Sequence, residues 1–213
     1  PDPAKLYISV DAGSLKIKHF GYFVTESSEH FSEYVPWFIK SFRPELLDQF
    51  RIPLDEYLTR CREQIAEWER QSDDLGSMAD IEITPTHEYA SDIIHSIWTG
   101  EQSTVWGNVP NRGLMPALPE GCCVEVPVHI RGDGIHPQPV NDLPPQLTAL
   151  MRTNINVQEL TVRALMEESR EHVYHAAMLD PRTAAELDLR TIRSMVDALI
   201  TAHGTWLPAW LHS

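Results

Sequence analysis

The sequence predicts an α+β domain in which helices pack with a small antiparallel sheet. Two observations predict it. Apolar residues recur at helical spacing early and late in the chain, while the middle carries short β-branched runs separated by glycine turns. A third observation narrows the class: a parallel nucleotide-binding sheet needs alternating strand and helix units, usually with a Gly-rich turn, and no G-x-G-x-x-G occurs. With 213 residues, 42% hydrophobic and 23% charged, the chain can fill one core and lacks the composition of a disordered segment.

The elements follow in order. Residues 1–14 hold two prolines and a glycine without a sustained period and read as an irregular N-terminal segment; the domain proper spans 15–213. A short apolar stretch at 15–24 leads to Thr25, Glu26, Ser27, Ser28 and Glu29, whose oxygens can cap a helix bearing Phe31, Tyr34, Val35 and Phe38. Pro53 suits a first helical position, and Leu54, Leu58, Cys61, Ile65 and Trp68 then mark one face of an amphipathic helix. A loop is expected at 72–79, and a further helix from Pro85, carrying Tyr89, Ile93, Ile97 and Trp98, stops at Gly100. Strands are expected at 104–109, 122–130 and 135–140, joined by turns around Gly113 and at 131–134. Pro144-Pro145 opens a long helix to about Ser169, and a last helix runs from Leu189 to His203 before Gly204.

Charge and cysteines exclude several roles. A net charge of −14 opposes binding to nucleic acid or to an anionic membrane, both of which need clustered Lys and Arg. No run approaches the roughly 20 apolar residues of a membrane span, and residues 1–10 lack a secretory pattern. Cys61, Cys122 and Cys123 make an odd count without disulfide or metal spacing, so reduced thiols and a cytoplasmic setting are expected.

Three strings carry chemistry. Between Glu26 and Glu33 lie four ionisable side chains and three hydroxyls, and a helix starting near Ser28 would put His30, Glu33 and Tyr34 on adjacent ridges, a density suited to proton transfer. A capped surface helix with solvated carboxylates accounts for the same residues. The second string, 106–114 leading to 118–127, offers Asn108, Asn111 and Arg112 to sugar hydroxyls, or is a turn whose asparagines bond their own backbone. Cys122 and Cys123 read as packing residues. In the third, Asn154, Asn156 and Gln158 interrupt an apolar helix and must meet a loop, a subunit or a ligand. His172, His175 and His203 read as structural, and Trp37, Trp68, Trp98, Trp206 and Trp210 as core or interface anchors.

Taken together, FGYFVTESSEHFSEYVPWFIK (20–40), IPLDEY (52–57), 107–113, LPEGCCVEV (118–126), 143–161, HAAMLDPRTAA (175–185) and AHGTWLPAWLH (202–212) resemble the α-galactosidases, or melibiases, of glycoside hydrolase family 4. The resemblance implies an NAD-binding Rossmann half followed by an α+β half, with catalysis in the cleft between them, and this chain looks like the second half only. It implies hydrolysis of α-galactosides by oxidation and elimination, an exception to the two-carboxylate mechanism. NAD takes hydride from C3 of the sugar, a divalent metal such as manganese polarises the ketone, and a base removes the C2 proton. By the same resemblance His30 falls nearest the position of the base, with Glu26, Glu29 and Tyr34 as neighbouring candidates, while Asn108, Asn111 and Arg112 match a loop facing the sugar or a neighbouring subunit. The family's Cys-His-Ser and Gly-Ile-Asn-His metal strings are not in the sequence, so the main NAD and metal motifs are expected elsewhere. A homo-oligomer is implied, and the shortage of Lys and Arg favours an unphosphorylated sugar. The other role compatible with the sequence is a non-catalytic oligomerisation or scaffold module that keeps the family fold.

Overall fold

Three antiparallel strands, β1 (Ser103–Pro110), β2 (Cys123–Arg131) and β3 (Gly134–Pro137), lie side by side in sequence order in the computed structural model, which describes residues 19–22, 28–76 and 88–212. Pairing of Val105 with Val128, Gly107 with Val126 and Val109 with Val124 sets the register of the first two. Burial alternates along β2, as the two-residue repeat of a strand demands, so Val124, Val126, Val128 and Ile130 all enter the core. Gly107 lets the strands close up there, since a Cβ at that position would lie 3.0 Å from Cγ2 of Val128.

Helices α1 (Ser28–Glu33), α2 (Glu45–Gln49), α3 (Glu56–Gly76) and α4 (Ala90–Thr99) precede the sheet. After it come α5 (Pro145–Met166), α6 (Arg170–Leu179), α7 (Pro181–Glu186) and α8 (Leu189–His203), then two short 3-10 turns. The sheet's buried face packs on Ile93 of α4 and Ile155 of α5. A second cluster gathers Phe31, Val35, Phe38, Phe50 and Ile52, with the rings of Phe38 and Phe50 meeting edge to face at 5.0 Å. Leu150 of α5 packs against that cluster, so one helix ties both together. The third cluster, Tyr174, Val196, Ile200 and Leu211, joins α6, α8 and the C-terminal turn. There Arg170 donates to Asp197 at 2.9 Å, the Tyr174 hydroxyl donates to the same carboxylate, and the Arg193 guanidinium lies 4.0 Å from the centre of the Tyr174 ring.

Several boundaries differ from expectation. The helix expected to start at Pro53 starts at Glu56, because Asp55 takes a left-handed φ of 59°. It then runs through the expected loop as far as Gly76, since no proline or glycine interrupts Ser72 to Leu75. The third strand stops at Pro137, beyond which Val140 donates instead to the Leu114 carbonyl. The long helix ends at Met166, and Glu168, with φ of 50°, turns the chain into α6, whose N-cap is Ser169. Gly100 terminates α4 at φ of 79°, as expected, whereas Pro85, residues 1–18 and Glu26 lie outside the described residues. Of the tryptophans, Trp68, Trp98 and Trp206 are exposed; Trp37, also partly exposed, sets its ring edge-on to the core ring of Phe38 at 6.4 Å, and Trp210 packs against the third cluster.

Candidate functional site

The connection between β1 and β2 is organised by one side chain. Asn111 is 1% exposed, and its amide nitrogen donates to the carbonyls of Met115, Leu118 and Pro119 at 3.0, 3.2 and 2.9 Å. Its side-chain oxygen accepts from the Met115 N–H at 2.9 Å, while its backbone N–H reaches the Cys122 carbonyl at 2.7 Å. A buried amide must satisfy all its polar atoms, and here the loop's own backbone does so. Gly113 and Gly121, both at positive φ, let the chain turn on either side of this hub. Asn111 therefore has no polar atom left over for a sugar, and the turn-forming alternative describes it.

The loop so held supplies one wall of a cleft of about 550 Å³, within the range typical of small-molecule sites. Met115 and Leu118 come from the loop, and Cys123, Val124 and Glu125 from the start of β2. The facing wall is α5, where Leu150, Met151, Asn154, Ile155 and Gln158 share one side of the helix. Phe31, Tyr34 and Val35 close the end. A neighbouring hollow of about 500 Å³ shares Cys123, Ile155 and Gln158 with it and reaches Arg163, extending the groove along α5. Segments of all three sequence strings thus line one groove. The amide of Asn154 donates to the Tyr34 carbonyl at 3.2 Å, a direct tie between the first string and the third.

The remaining candidates divide. Tyr34 is 51% exposed in the cleft wall. His30 sits half-buried on α1, which ends one residue before Tyr34, and is not among the cleft-lining residues; Glu29 lies on α1 and Glu26 outside the described residues. Asn108 is exposed on β1 directly opposite Glu125, which places the two on one face of the sheet, with the Cys123 thiol 3.9 Å from its side-chain oxygen. Arg112 is exposed on the loop and does not line the cleft. Burial raises the Cys122 thiol above its usual range, keeping it in the unreactive form, in accord with its packing against the sheet core. Gln158, one of the helix amides expected to meet a loop, a subunit or a ligand, lines the cleft; Glu125 is a cleft residue that the sequence did not mark, and the register of β2, which faces it away from the valine row, was the available signal.

Residues 12–183 match the model of the family 4 glycosyl hydrolase C-terminal domain. The chain belongs to that family. This family 4 domain is 48% identical over 191 residues to an α-galactosidase of Bacillus subtilis (strain 168), covering 90% of this chain and 44% of the relative. It is 28% identical to an α-galactosidase of Rhizobium meliloti (strain 1021), covering 92% and 42%. The chain thus spans less than half the length of these curated relatives. Among solved structures the domain is similar to lplD from Bacillus subtilis, with a TM-score of 0.78 at 16% identity over 91% of this chain and 44% of that one. It is also similar to a 6-phospho-α-glucosidase from gut microorganisms solved with NAD and Mn2+, with a TM-score of 0.64 at 18% identity over 92% and 43%. Those likenesses show the fold that the sequence predicts.

Among the described residues no three His, Cys, Asp or Glu side chains converge, so this domain's described part does not by itself fit a divalent ion. Among the described residues the strand arrangement, one three-stranded antiparallel sheet, is likewise not that of a dinucleotide fold. Among the described residues no helix is long and apolar enough to cross a membrane.

Proposed function

We propose that this domain is the sugar-facing part of an α-galactosidase that acts on unphosphorylated α-galactosides and requires NAD and a divalent metal, manganese foremost. The observation that carries the reading is the 48% identity to the Bacillus subtilis α-galactosidase across 90% of the chain. The NAD and Mn2+ named in a structural neighbour support the cofactor assignment, with their ligands lying mainly outside the described residues. Cytoplasmic residence goes with the reading, supported by three free thiols.

The groove suits a sugar physically. A pyranose has apolar C–H faces and a hydroxyl rim, and the cleft sets Met115, Leu118 and Leu150 beside the polar ends of Tyr34, Glu125 and Gln158. Asn108, the strand partner of Glu125, and Arg112 on the loop's exposed side would meet the sugar from outside the cleft lining, while Asn111 acts on substrate only by holding the loop. Among the base candidates His30, Glu26, Glu29 and Tyr34, the cleft position of Tyr34 moves it to the front. Its hydroxyl would take a proton from a carbon acidified by chemistry supplied outside this chain.

The test is hydrolysis of p-nitrophenyl α-galactoside in the presence of NAD, manganese and reductant, by the chain alone and combined with a complementary N-terminal half. Turnover in the combined sample is expected, and none there would defeat the reading. In that sample Tyr34→Phe should lower kcat about 100-fold, as loss of a general base does, with KM little changed. An equal or larger loss in His30→Ala with Tyr34→Phe unaffected would return the role to His30. A non-catalytic assembly module is favoured by one feature, the apolar face of α3, none of whose residues is buried, and turnover in the combined sample would remove it.

A further inference from the structure

Cys122 and Cys123 are neighbours in the chain, both hold free thiols, and both line the hollow of about 500 Å³ that extends the groove along α5. A ring closed through neighbouring sulfurs asks the peptide between them to turn. Here the backbone offers little to hold it. Cys122 lies outside the strand, next to Gly121 with its left-handed φ of 81°. Cys123, the first residue of β2, is paired with Pro110, which has no N–H to give to the ladder.

We propose that Cys122 and Cys123 are a reversible dithiol–disulfide couple, closed by a peroxide and reopened by a dithiol reductant, and that closing it loosens the loop walling the cleft. The surroundings assign the two sulfurs different parts. Cys123 is exposed and meets the peroxide first. Cys122 packs against the sheet core, where burial raises its thiol above the usual range, so it is spared direct oxidation and acts second. The Cys123 thiolate attacks one peroxide oxygen and releases hydroxide, leaving a sulfenic acid; the Cys122 sulfur then displaces the sulfenic hydroxyl and the S–S bond forms. The two thiols together give up two electrons and two protons, and the peroxide leaves as two waters. Adjacency in the chain gives the second sulfur a high effective concentration, which offsets its low thiolate fraction.

The consequence for the groove runs through Asn111. Its backbone N–H donates to the Cys122 carbonyl at 2.7 Å, and its carbonyl accepts from the Gly121 N–H at 2.8 Å. The Cys122 carbonyl belongs to the peptide that must turn. Closing the ring therefore draws it from Asn111 and weakens the hub that sets Met115 and Leu118 in the cleft wall. The couple lies within one chain, so neither a second copy nor a further lobe is needed to complete it.

The test uses the whole chain, reduced with dithiothreitol, freed of it, titrated with hydrogen peroxide and alkylated with N-ethylmaleimide; none of its readouts needs catalysis. Alkylable thiols should fall from three to one per chain, and dithiothreitol should restore them. Fragments of the tryptic peptide 113–131 that span Cys122 and Cys123 should be about 2 Da lighter than in the reduced chain. Cys61→Ser should leave the closure unchanged, whereas in Cys122→Ser the reaction should stop at the sulfenic acid of Cys123, which dimedone captures. The urea midpoint of the oxidised chain should lie about 0.5 M below that of the reduced chain. Three thiols still alkylable, a sulfinic acid at Cys123 of the unsubstituted chain, a disulfide to Cys61 or between chains, or a midpoint indifferent to oxidation would overturn the proposal.

Discussion

At the scale of single residues, Asn111 shows how much one buried amide can organise. Asn111→Ala would strip partners from three carbonyls and the Met115 N–H at once, and stability should fall by about 3 kcal/mol in a urea titration. A loss well under about 1 kcal/mol would mean that water replaces those bonds readily. Sequence alone offered two roles for this asparagine, sugar contact or turn. It could not choose, because the deciding acceptors lie four to eight residues downstream and their approach depends on how the loop closes. The Asn154 amide was legible further: an amide in an apolar helix needs a partner, and it has the Tyr34 carbonyl. Which partner was not legible, since 120 residues separate the two.

Elements were read best where local chemistry alone decides them. The glycine stop of α4, the Pro144-Pro145 start of α5 and the extent of α8 are all local signals, and each stands as read. The short α6 and α7 were not separated in advance, although Ser169 and Asp180-Pro181 are ordinary cap sequences. Helix α8 gives the pH prediction. The N–H and hydroxyl of Thr191 and the N–H of Arg190 donate to Asp188, holding its carboxyl below the ordinary aspartate range. A folded pKa depressed in this way contributes stability above the unfolded pKa and loses it as pH falls through the folded value. The melting temperature of the native chain should therefore exceed that of Asp188→Asn at neutral pH by a margin that shrinks on acidification below about pH 4. A margin constant with pH would show that the cap geometry acts without its charge.

For the whole molecule, the dominant fact is charge. At −14 the folded chain repels itself, and salt should relieve that strain. Between about 0.01 M and about 0.1 M salt the screening length contracts from about 30 Å to about 10 Å, shorter than the span of α3. The thermal midpoint should rise by a few degrees over that interval by scanning calorimetry; a fall would mean that favourable ion pairs, such as Arg170 with Asp197, outweigh the general repulsion. The α+β class itself was readable from the shift in apolar period along the chain. What covers the outer face of α3 was not, because a helical stripe looks the same whether its cover is intramolecular or another molecule.

The cleft's construction bears on attempts to re-tailor it. Its three sides come from residues 31–35, 115–125 and 150–158; Asn154 ties the first to the third, and Asn111 holds the second in shape. Chimaeras that transplant a single side from a homologue would mismatch the other two, so donor material has to travel as a trio, with both asparagines included.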